Sequence, residues 1–257
     1  MSNDTWNPEQ YERYRNERSQ PFFDLMSLVK PSPDMRIVDL GCGTGDLTLV
    51  LHKHLQARET VGIDNSEAML AKAKSFAGDG LSFERKSIND FHAEHAYDLI
   101  FSNAALHWIS NHEEVLSGLT RALARGGQLA VQVPANHDFP THTAATEMAG
   151  EPPFREALNG YAHPRPVLKP EAYAVLLDRL GYREQHVRLQ VYGHHLASRE
   201  DVVEWVKGSL LTDYRRRLPA DLYEEFLRRY RERLLNQLED TRPYFLTYKR
   251  MLFWAKL

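Results

Sequence analysis

Three glycines in five residues interrupt an apolar run in the segment VDLGCGTGDL, residues 38–47. A glycine-rich turn between a buried strand and a helix lets the backbone approach a ligand closely and directs amide N–H groups towards it. Two acids flank this turn, since Asp39 precedes the first glycine and Asp64 follows the next apolar run. The pattern predicts a site for a nucleotide-like cofactor, with the Asp64 carboxylate accepting hydrogen bonds from both ribose hydroxyls.

The order of the glycines argues against two common cofactors. Asp46 stands where the dinucleotide fingerprint has its third glycine, so a nicotinamide cofactor is disfavoured. No Lys-Ser or Lys-Thr pair follows the turn, which excludes a nucleoside-triphosphate loop. Asp39 is a poor neighbour for a pyrophosphate and a good one for a cationic group. The turn is therefore predicted to hold a charged nucleoside without phosphates.

Strands and helices alternate around this turn as far as Pro134. Five strands are predicted over residues 36–40, 60–63, 81–86, 98–102 and 128–133. Helices are predicted between them over 46–56, 66–77 and 113–124, the last closed by the Gly126-Gly127 pair. Such alternation predicts an α/β fold with a doubly wound, mostly parallel sheet.

The pattern changes after Pro134, where clustered prolines predict an irregular segment. Strands predicted over 186–192 and 244–255 complete a seven-stranded sheet, and helices are predicted over 171–180, 199–211 and 220–238. We expect one domain, 1–257, with an N-terminal cap segment, 1–30. Two substrate-side insertions, 135–170 and 197–242, are expected to form a helical lid.

Composition excludes several classes of protein. The formal net charge of the 257 residues is −3 and no long run has one sign, which gives no support to a role on nucleic acids or at a membrane surface. No stretch approaches the roughly 18 apolar residues of a membrane span. Cys42 is the single cysteine, which fits a reducing compartment, and we expect the cytoplasm. We expect no metal site. A monomer is compatible with the sequence, which leaves the oligomeric state open.

Four segments resemble, in the expected order, the motifs of class I S-adenosylmethionine-dependent methyltransferases. VDLGCGTGDLT resembles the first motif and GIDNS the acidic second motif. SNAALHW resembles the fourth-strand motif, and LARGGQLAVQVP the glycine-ended helix with the fifth strand. Together they cover roughly residues 37–134. The resemblance implies the Rossmann-like methyltransferase fold and S-adenosyl-L-methionine as the cofactor.

A narrower resemblance, to trans-aconitate methyltransferases, extends over nearly the whole chain. It is carried by the segments WNPEQYERYRNERSQPFFDL, VPANHDFPTH, YGHHL, VVEWVKGS and YKRMLFWA. That family esterifies a carboxylate of a small tricarboxylic acid, which implies a monomethyl ester and S-adenosylhomocysteine as products. The chain departs from the family where many members have Gly-Leu-Arg-Pro, because it has Leu210, Leu211, Thr212 and Asp213 there. Arg188 replaces a tryptophan often found before the YGHHL segment.

The motifs and their chemistry assign cofactor contacts. The first motif is expected to pass under the methionine part, Ser87 and Ile88 to meet the adenine, and Asn103 to bind the amino group. For Asp64 the alternative is a helix N-cap, and for Met69 it is plain core packing. The complete predicted set is Asp39, Gly41, Cys42, Gly43, Gly45, Asp64, Asn65, Met69, Ser87, Ile88, Asn103 and Ala104.

On the substrate side, we predict residues that position the substrate rather than residues that act as acids or bases. A carboxylate is already ionised near neutral pH and needs no general base. It does need fixed cations, for which arginine is the apt residue. The predicted pocket residues are His107, Trp108, Arg18, Arg250, His142 and His194. For the two arginines the alternative is a surface salt bridge, and for Arg215, Arg216 and Arg217 it is a solvated helix face, from which one could still reach the substrate.

Other functions stay open at this point. The acceptor could be a malonyl thioester carboxyl or a natural-product hydroxyl, because the same cofactor core would serve. A cofactor-binding protein without methyl transfer is also compatible with the turn. A nicotinamide dehydrogenase is disfavoured by Asp46 and by the absence of a recognisable Tyr-x-x-x-Lys motif.

Overall fold

The computed structural model of the protein describes residues 15–161, 163–208 and 210–257, with side chains from residue 19 onward. Within these ranges the strands are β1 (Arg36–Leu40), β2 (Glu59–Asp64), β3 (Leu81–Arg85), β4 (Tyr97–Asn103), β5 (Leu123–Pro134), β6 (Glu184–Leu196) and β7 (Tyr244–Lys256). They form one sheet in the order β3-β2-β1-β4-β5-β7-β6. Strand β7 runs antiparallel to both of its neighbours, and the other pairs are parallel. The prediction of a doubly wound, mostly parallel seven-stranded sheet is confirmed.

The strand order reverses between β1 and β4. From β1 the chain builds outward through β2 to β3, and then crosses to the other side of β1 to add β4 and β5. In open α/β sheets ligands bind at such a switch point, in the crevice outside the carboxyl ends of the strands. The predicted cofactor turn, which follows Leu40 at the end of β1, lies at this crevice.

Helices cover both faces of the sheet and build a further layer. Those packed on the sheet are α1 (Arg15–Met26), α2 (Asp46–Leu55), α3 (Glu67–Ala73), α4 (His112–Ala122) and α7 (Pro170–Arg179). The others, which we call the helical insertion, are α5 (Pro140–Ala149), α6 (Phe154–Ala157), α8 (Glu200–Lys207), α9 (Leu210–Arg217) and α10 (Ala220–Gln237).

Burial on both faces explains why Ile37, Val38 and Leu40 of β1 are apolar. Ile37 is completely buried in the core that α1 and α2 form on one face, whereas Val38 and Leu40 are buried on the other face with α4 and α7. The helical insertion has its own core, in which Phe226 stacks on Tyr214 with ring centroids 4.9 Å apart. The insertion therefore packs as a layer in its own right.

Three local predictions differ from the structure. Helix α4 ends at Ala122, and the pair at 126–127 lies in the irregular start of β5, where the register with β4 shifts. The segment predicted as irregular contains α5 and α6, because Pro140 occupies the first turn of a helix, where a missing N–H costs nothing. The helix predicted over 199–211 is replaced by α8 and the start of α9.

Candidate cofactor and substrate site

A cavity of about 870 Å³ extends from the carboxyl ends of the strands to the helical insertion. Its volume lies in the upper part of the usual range for ligand sites, about 300–1,000 Å³. Most of the predicted site residues line it, namely Asp39, Gly41, Cys42, Gly43, Asp64, Asn65, Met69, Ser87, Ile88, Asn103, Ala104, His107, Trp108 and Arg250. Residues far apart in the sequence thus share one cavity.

The turn after β1 is held by its backbone. The N–H groups of Gly41 and Cys42 both donate to the Ile63 carbonyl, at 2.8 and 3.0 Å. Gly41 has φ of +78°, and a Cβ there would come within 2.3 Å of the Ala105 Cβ, so the turn lies directly against the residues that follow β4. Gly45 does not line the cavity; with φ of +77° it forms the bend into α2.

Asp64 fixes the far side of the turn. One of its carboxylate oxygens accepts from the Gly43 N–H at 2.9 Å, and the other accepts from the Ser66 N–H at 2.8 Å. The N-cap of α3 is Ser66, whose hydroxyl accepts from the Met69 N–H. The capping role considered for Asp64 therefore belongs to Ser66, and the Asp64 carboxylate faces the cavity.

Asp39 is a buried acid beside this turn. Thr48 donates a hydrogen bond to it at 2.6 Å from its hydroxyl oxygen. Burial raises the pKa of Asp39 to about 7, with a further contribution from the charge of Asp64, while the Thr48 hydrogen bond acts in the opposite direction. A cationic ligand group placed here would favour the ionised carboxylate.

Two features of the lining bear on its chemistry. Burial raises the pKa of the Cys42 thiol far above its ordinary value, so this sulfur stays protonated and contributes shape rather than a nucleophile. At the end beyond β3, the Ser87 hydroxyl accepts from the Asn89 N–H at 3.2 Å and begins a short 3₁₀ helix over Ile88–Asp90. This end is polar and is bounded by backbone groups.

The end of β4 carries an unsatisfied acceptor and a strained residue. The Asn103 Oδ1 atom is buried and has no hydrogen-bond partner. Ala104 has φ of +54°, a left-handed conformation that costs a non-glycine residue about 1–2 kcal/mol, and its N–H donates to the Gln132 carbonyl at 2.8 Å. Strain of this kind concentrates at ligand sites, and an orphaned buried acceptor needs a donor from a ligand or an ordered water.

His107 and Arg250 both line the cavity and interact through their charges. Burial, followed by the positive charge of Arg250, lowers the pKa of His107 to about 3, so the imidazole is neutral throughout the physiological range. Its Nδ1 atom is buried without a hydrogen-bond partner. Arg250 is only 8% exposed and lies 4.7 Å from the Tyr248 ring centroid. The cavity therefore combines a buried cation with a neutral imidazole.

The insertion end of the cavity contains residues that sequence reasoning did not single out for the site, including Tyr161, His163 and Asp213. Asp213 accepts hydrogen bonds from the Tyr161 hydroxyl at 3.0 Å and from His163 at 3.1 Å, and it pairs with Arg216. Burial alone would raise the pKa of Asp213, but these hydrogen bonds outweigh burial and hold the pKa below its usual range.

Helical spacing could have revealed part of this end. Thr212, Asp213, Arg216 and Arg217 all line the cavity, and they recur on one face of α9 at the i, i+1, i+4 and i+5 positions. Tyr161 and His163 follow α6 in an extended segment and carry no such periodic signal.

Some predicted substrate residues do not line the cavity. The His194 ring lies 5.0 Å from Trp205, which does line it, so His194 supports the wall from behind. The His142 Nδ1 atom lies 3.0 Å from the Thr141 hydroxyl oxygen, and burial lowers the pKa of His142 to about 3. The Arg18 side chain lies outside the described part of the structure.

The departures from the family pattern fall in different places. Thr212 lines the cavity, whereas Leu210 is buried in the insertion core and Arg188 lies on β6, away from the lining. Among the residues that the structure describes, no cluster of three or more histidine, cysteine or acidic side chains is placed to hold a metal ion. Within those same residues, none of the helices has the length and apolar character needed to cross a membrane.

The chain matches known proteins at three levels. A family model described as a methyltransferase domain matches residues 31–165, more than half of the chain. A trans-aconitate 2-methyltransferase from Deinococcus radiodurans is 40% identical over 257 residues, covering 98% of each chain. One from Variovorax paradoxus is 37% identical, covering 98% of this chain and 96% of the relative. A solved structure from Bacillus subtilis shares the fold, with a TM-score of 0.61 at 14% identity, covering 92% of this chain and 97% of that one.

Proposed function

Because this chain belongs to the trans-aconitate 2-methyltransferase family and is an S-adenosylmethionine-dependent methyltransferase, we propose that it methylates a carboxylate of a small polycarboxylic acid. The product would be a monomethyl ester of a trans-aconitate-like substrate. The observation that supports this proposal most directly is the shared cavity, which joins the turn after β1 to the buried cation of Arg250.

The cofactor end fits S-adenosylmethionine. The glycine turn leaves room for close approach, and Asp39 offers a carboxylate to the positive amino group. Asp64 would hold the ribose diol, while Met69, Ser87 and Ile88 would border the adenine with Asn65 beside them. The Asn103 Oδ1 atom, which has no protein donor, would accept from the same amino group.

When bound, the cofactor supplies an electrophilic methyl group, which a carboxylate oxygen takes in line as the carbon–sulfur bond breaks. The residues of the chain would bring the two reactants together. Holding an attack geometry in this way can lower a barrier by about 7–11 kcal/mol. Arg250 would fix the anion by charge, and Trp108 would form a wall of the pocket.

Proton transfer has no part in this reaction. The substrate carboxylate is ionised near neutral pH. The neutral His107 would line the pocket and offer a hydrogen bond without adding a second buried charge next to Arg250. We therefore expect no side chain of the cavity to act as a general base.

The helical insertion would act as the lid over the substrate. Its residues Trp205, Thr212 and Asp213 line the same cavity as the cofactor turn. The N-terminal helix α1 contributes Ser19 and Phe22 to the same cavity, which supports the proposal that the N-terminal segment caps the site. We also infer a cytoplasmic location from the single, buried cysteine, and a small molecule rather than nucleic acid as the partner.

A labelled-methyl assay tests this function. The protein is incubated with S-adenosylmethionine carrying a labelled methyl group and, in parallel, with trans-aconitate, citrate, a malonyl thioester and a phenol. We expect base-labile label in the trans-aconitate sample, in an amount that depends on the protein. Label confined to the thioester or the phenol would contradict the proposal.

A further inference from the structure

One cationic side chain at the insertion end of the cavity has no role in the proposed methyl transfer. Arg217, on α9, lines the cavity, and its guanidinium carbon lies 3.8 Å from the Tyr161 ring centroid. Its neighbour Arg216 pairs with Asp213, whereas Arg217 has no ion pair among the described residues. Arg217 therefore presents an uncompensated positive charge to the cavity.

The contact with Tyr161 prepares Arg217 for an anion. Arg217 also makes a side-chain hydrogen bond to the Tyr161 hydroxyl, and its other guanidinium N–H groups are available to a carboxylate. Two parallel N–H groups can then bind both oxygens of one carboxylate. Stacking also reduces the freedom that the side chain would lose on binding.

Asp213 holds this arrangement in place. The Tyr161 hydroxyl donates to Asp213 at 3.0 Å, which fixes the ring on which Arg217 rests. Asp213 is itself buried and is held by hydrogen bonds from His163 and Arg216. Because Arg216 already neutralises Asp213, the acid can fix the ring without cancelling the charge of Arg217.

We propose that Arg217 forms a second anion subsite, which binds a carboxylate of the substrate that is not methylated. This inference rests on the proposed function and names the residue that binds a second carboxylate of its polycarboxylic substrate. Arg250, on β7, and Arg217, on α9, line one cavity from different layers of the fold. A substrate would span them, with the reacting carboxylate beside Arg250. Asp213 is a positioning residue for this subsite.

Kinetics of Arg217→Gln on substrates of different charge test the subsite. We expect KM for trans-aconitate to rise about tenfold or more, because a charge-assisted contact is lost, with kcat changing less than about threefold. KM for crotonate, a monocarboxylate of related shape, should stay within about twofold of wild type. The matched control is Arg215→Gln on the same helix, because Arg215 does not line the cavity, and it should leave both constants unchanged.

Two further variants distinguish a loss of carboxylate binding from a disturbance of the helical insertion. Arg217→Lys keeps the charge and should recover part of the lost affinity for trans-aconitate. Tyr161→Phe keeps the ring and removes the bond to Asp213, so we expect a smaller rise in KM, about threefold, again for trans-aconitate alone. An unchanged KM in Arg217→Gln, or an equal rise for crotonate, would overturn the subsite.

Calorimetry tests the anion subsite independently of methyl transfer. If wild-type protein methylates no carboxylate, the proposed function fails. Binding of trans-aconitate to the protein loaded with S-adenosylhomocysteine then decides the subsite. A loss of about tenfold in affinity in Arg217→Gln supports it, and equal affinity, or no binding by the wild-type protein, rejects it.

Discussion

At the cofactor end of the cavity, the lining comes largely from residues at or directly after the ends of strands, such as Gly41, Asp64 and Ala104. At the insertion end it comes from long side chains on separate elements, such as Tyr161 after α6 and Arg217 on α9. The first end is fixed by strand pairing in the sheet, and the second by a hydrogen-bonded group around Asp213.

This difference indicates how the two ligands would be recognised. A backbone cradle at a switch point recognises the shape of one cofactor and tolerates little change. A layer with its own core can exchange side chains at the cavity and leave the sheet undisturbed. A change at the insertion end, such as the one at Thr212, therefore leaves the cofactor cradle unaltered.

The largest effect should follow from placing a side chain in the turn. In Gly41→Ala the new methyl group would collide with Ala105, in a backbone conformation that alanine rarely adopts. We expect the affinity for S-adenosylhomocysteine to fall about 100-fold or more, and the free energy of unfolding to fall by about 2–5 kcal/mol. Calorimetric titration and thermal unfolding measure the two quantities.

The chain supplies a matched control for that variant. Gly126 has a similar φ of +73°, but a Cβ there meets nothing within 4 Å. Gly126→Ala should therefore cost about 1–2 kcal/mol from the backbone alone and leave cofactor affinity intact. Equal loss of affinity in both variants would mean that the close approach at Gly41 has no part in binding.

Removal of the buried cation should affect the substrate and spare the cofactor. In Arg250→Gln we expect KM for trans-aconitate to rise about 30-fold or more, because a charged partner in a buried site is lost. The dissociation constant of S-adenosylhomocysteine should change less than about threefold. Arg188→Gln on the neighbouring strand is the control, since Arg188 does not line the cavity. If Arg250→Gln weakened the binding of trans-aconitate and of S-adenosylhomocysteine equally, the separation of the cavity into a substrate end and a cofactor end would be wrong.

The smallest expected effect depends on pH and concerns Asp39. Its pKa is raised to about 7, so the folded protein disfavours the ionised form, and this group lowers stability progressively as pH rises from about 4 to 7. In the absence of cofactor, Asp39→Asn should therefore become more stable than wild type across this range and stay so above pH 7. Binding of S-adenosylmethionine should weaken by up to about tenfold.

Unfolding of both proteins at several pH values, with and without the cofactor, measures this contribution. The difference in stability between variant and wild type should grow with pH in the absence of cofactor and shrink when cofactor is present. A difference in unfolding free energy that is independent of pH would show that the fold does not disfavour the ionised form of Asp39. It would also contradict the inference of a cationic ligand group beside this residue.

The sheet and the cofactor end were predictable because their signals are local. The run RIVDL places apolar residues in the cores on both faces, Ile37 in one and Val38 in the other, and the glycine turn follows it directly. Which of Asp64 and Ser66 caps α3 was not predictable, because both residues suit an N-cap and only their placement distinguishes them. The prediction that the Gly126-Gly127 pair ends a helix was wrong for a similar reason, because a bulge and a helix end require the same backbone freedom.

The sequence by itself determined the fold and the methyl donor, because strand periodicity and the motifs around Gly41 and Asp64 lie in continuous segments. Only the tertiary structure decided which polar residues meet the substrate side of the cavity. It placed Arg217 and Tyr161 in the lining, and left His142 and His194 out of it. The physical reason is that those contacts join elements more than fifty residues apart, and the packing of the helical insertion sets their geometry.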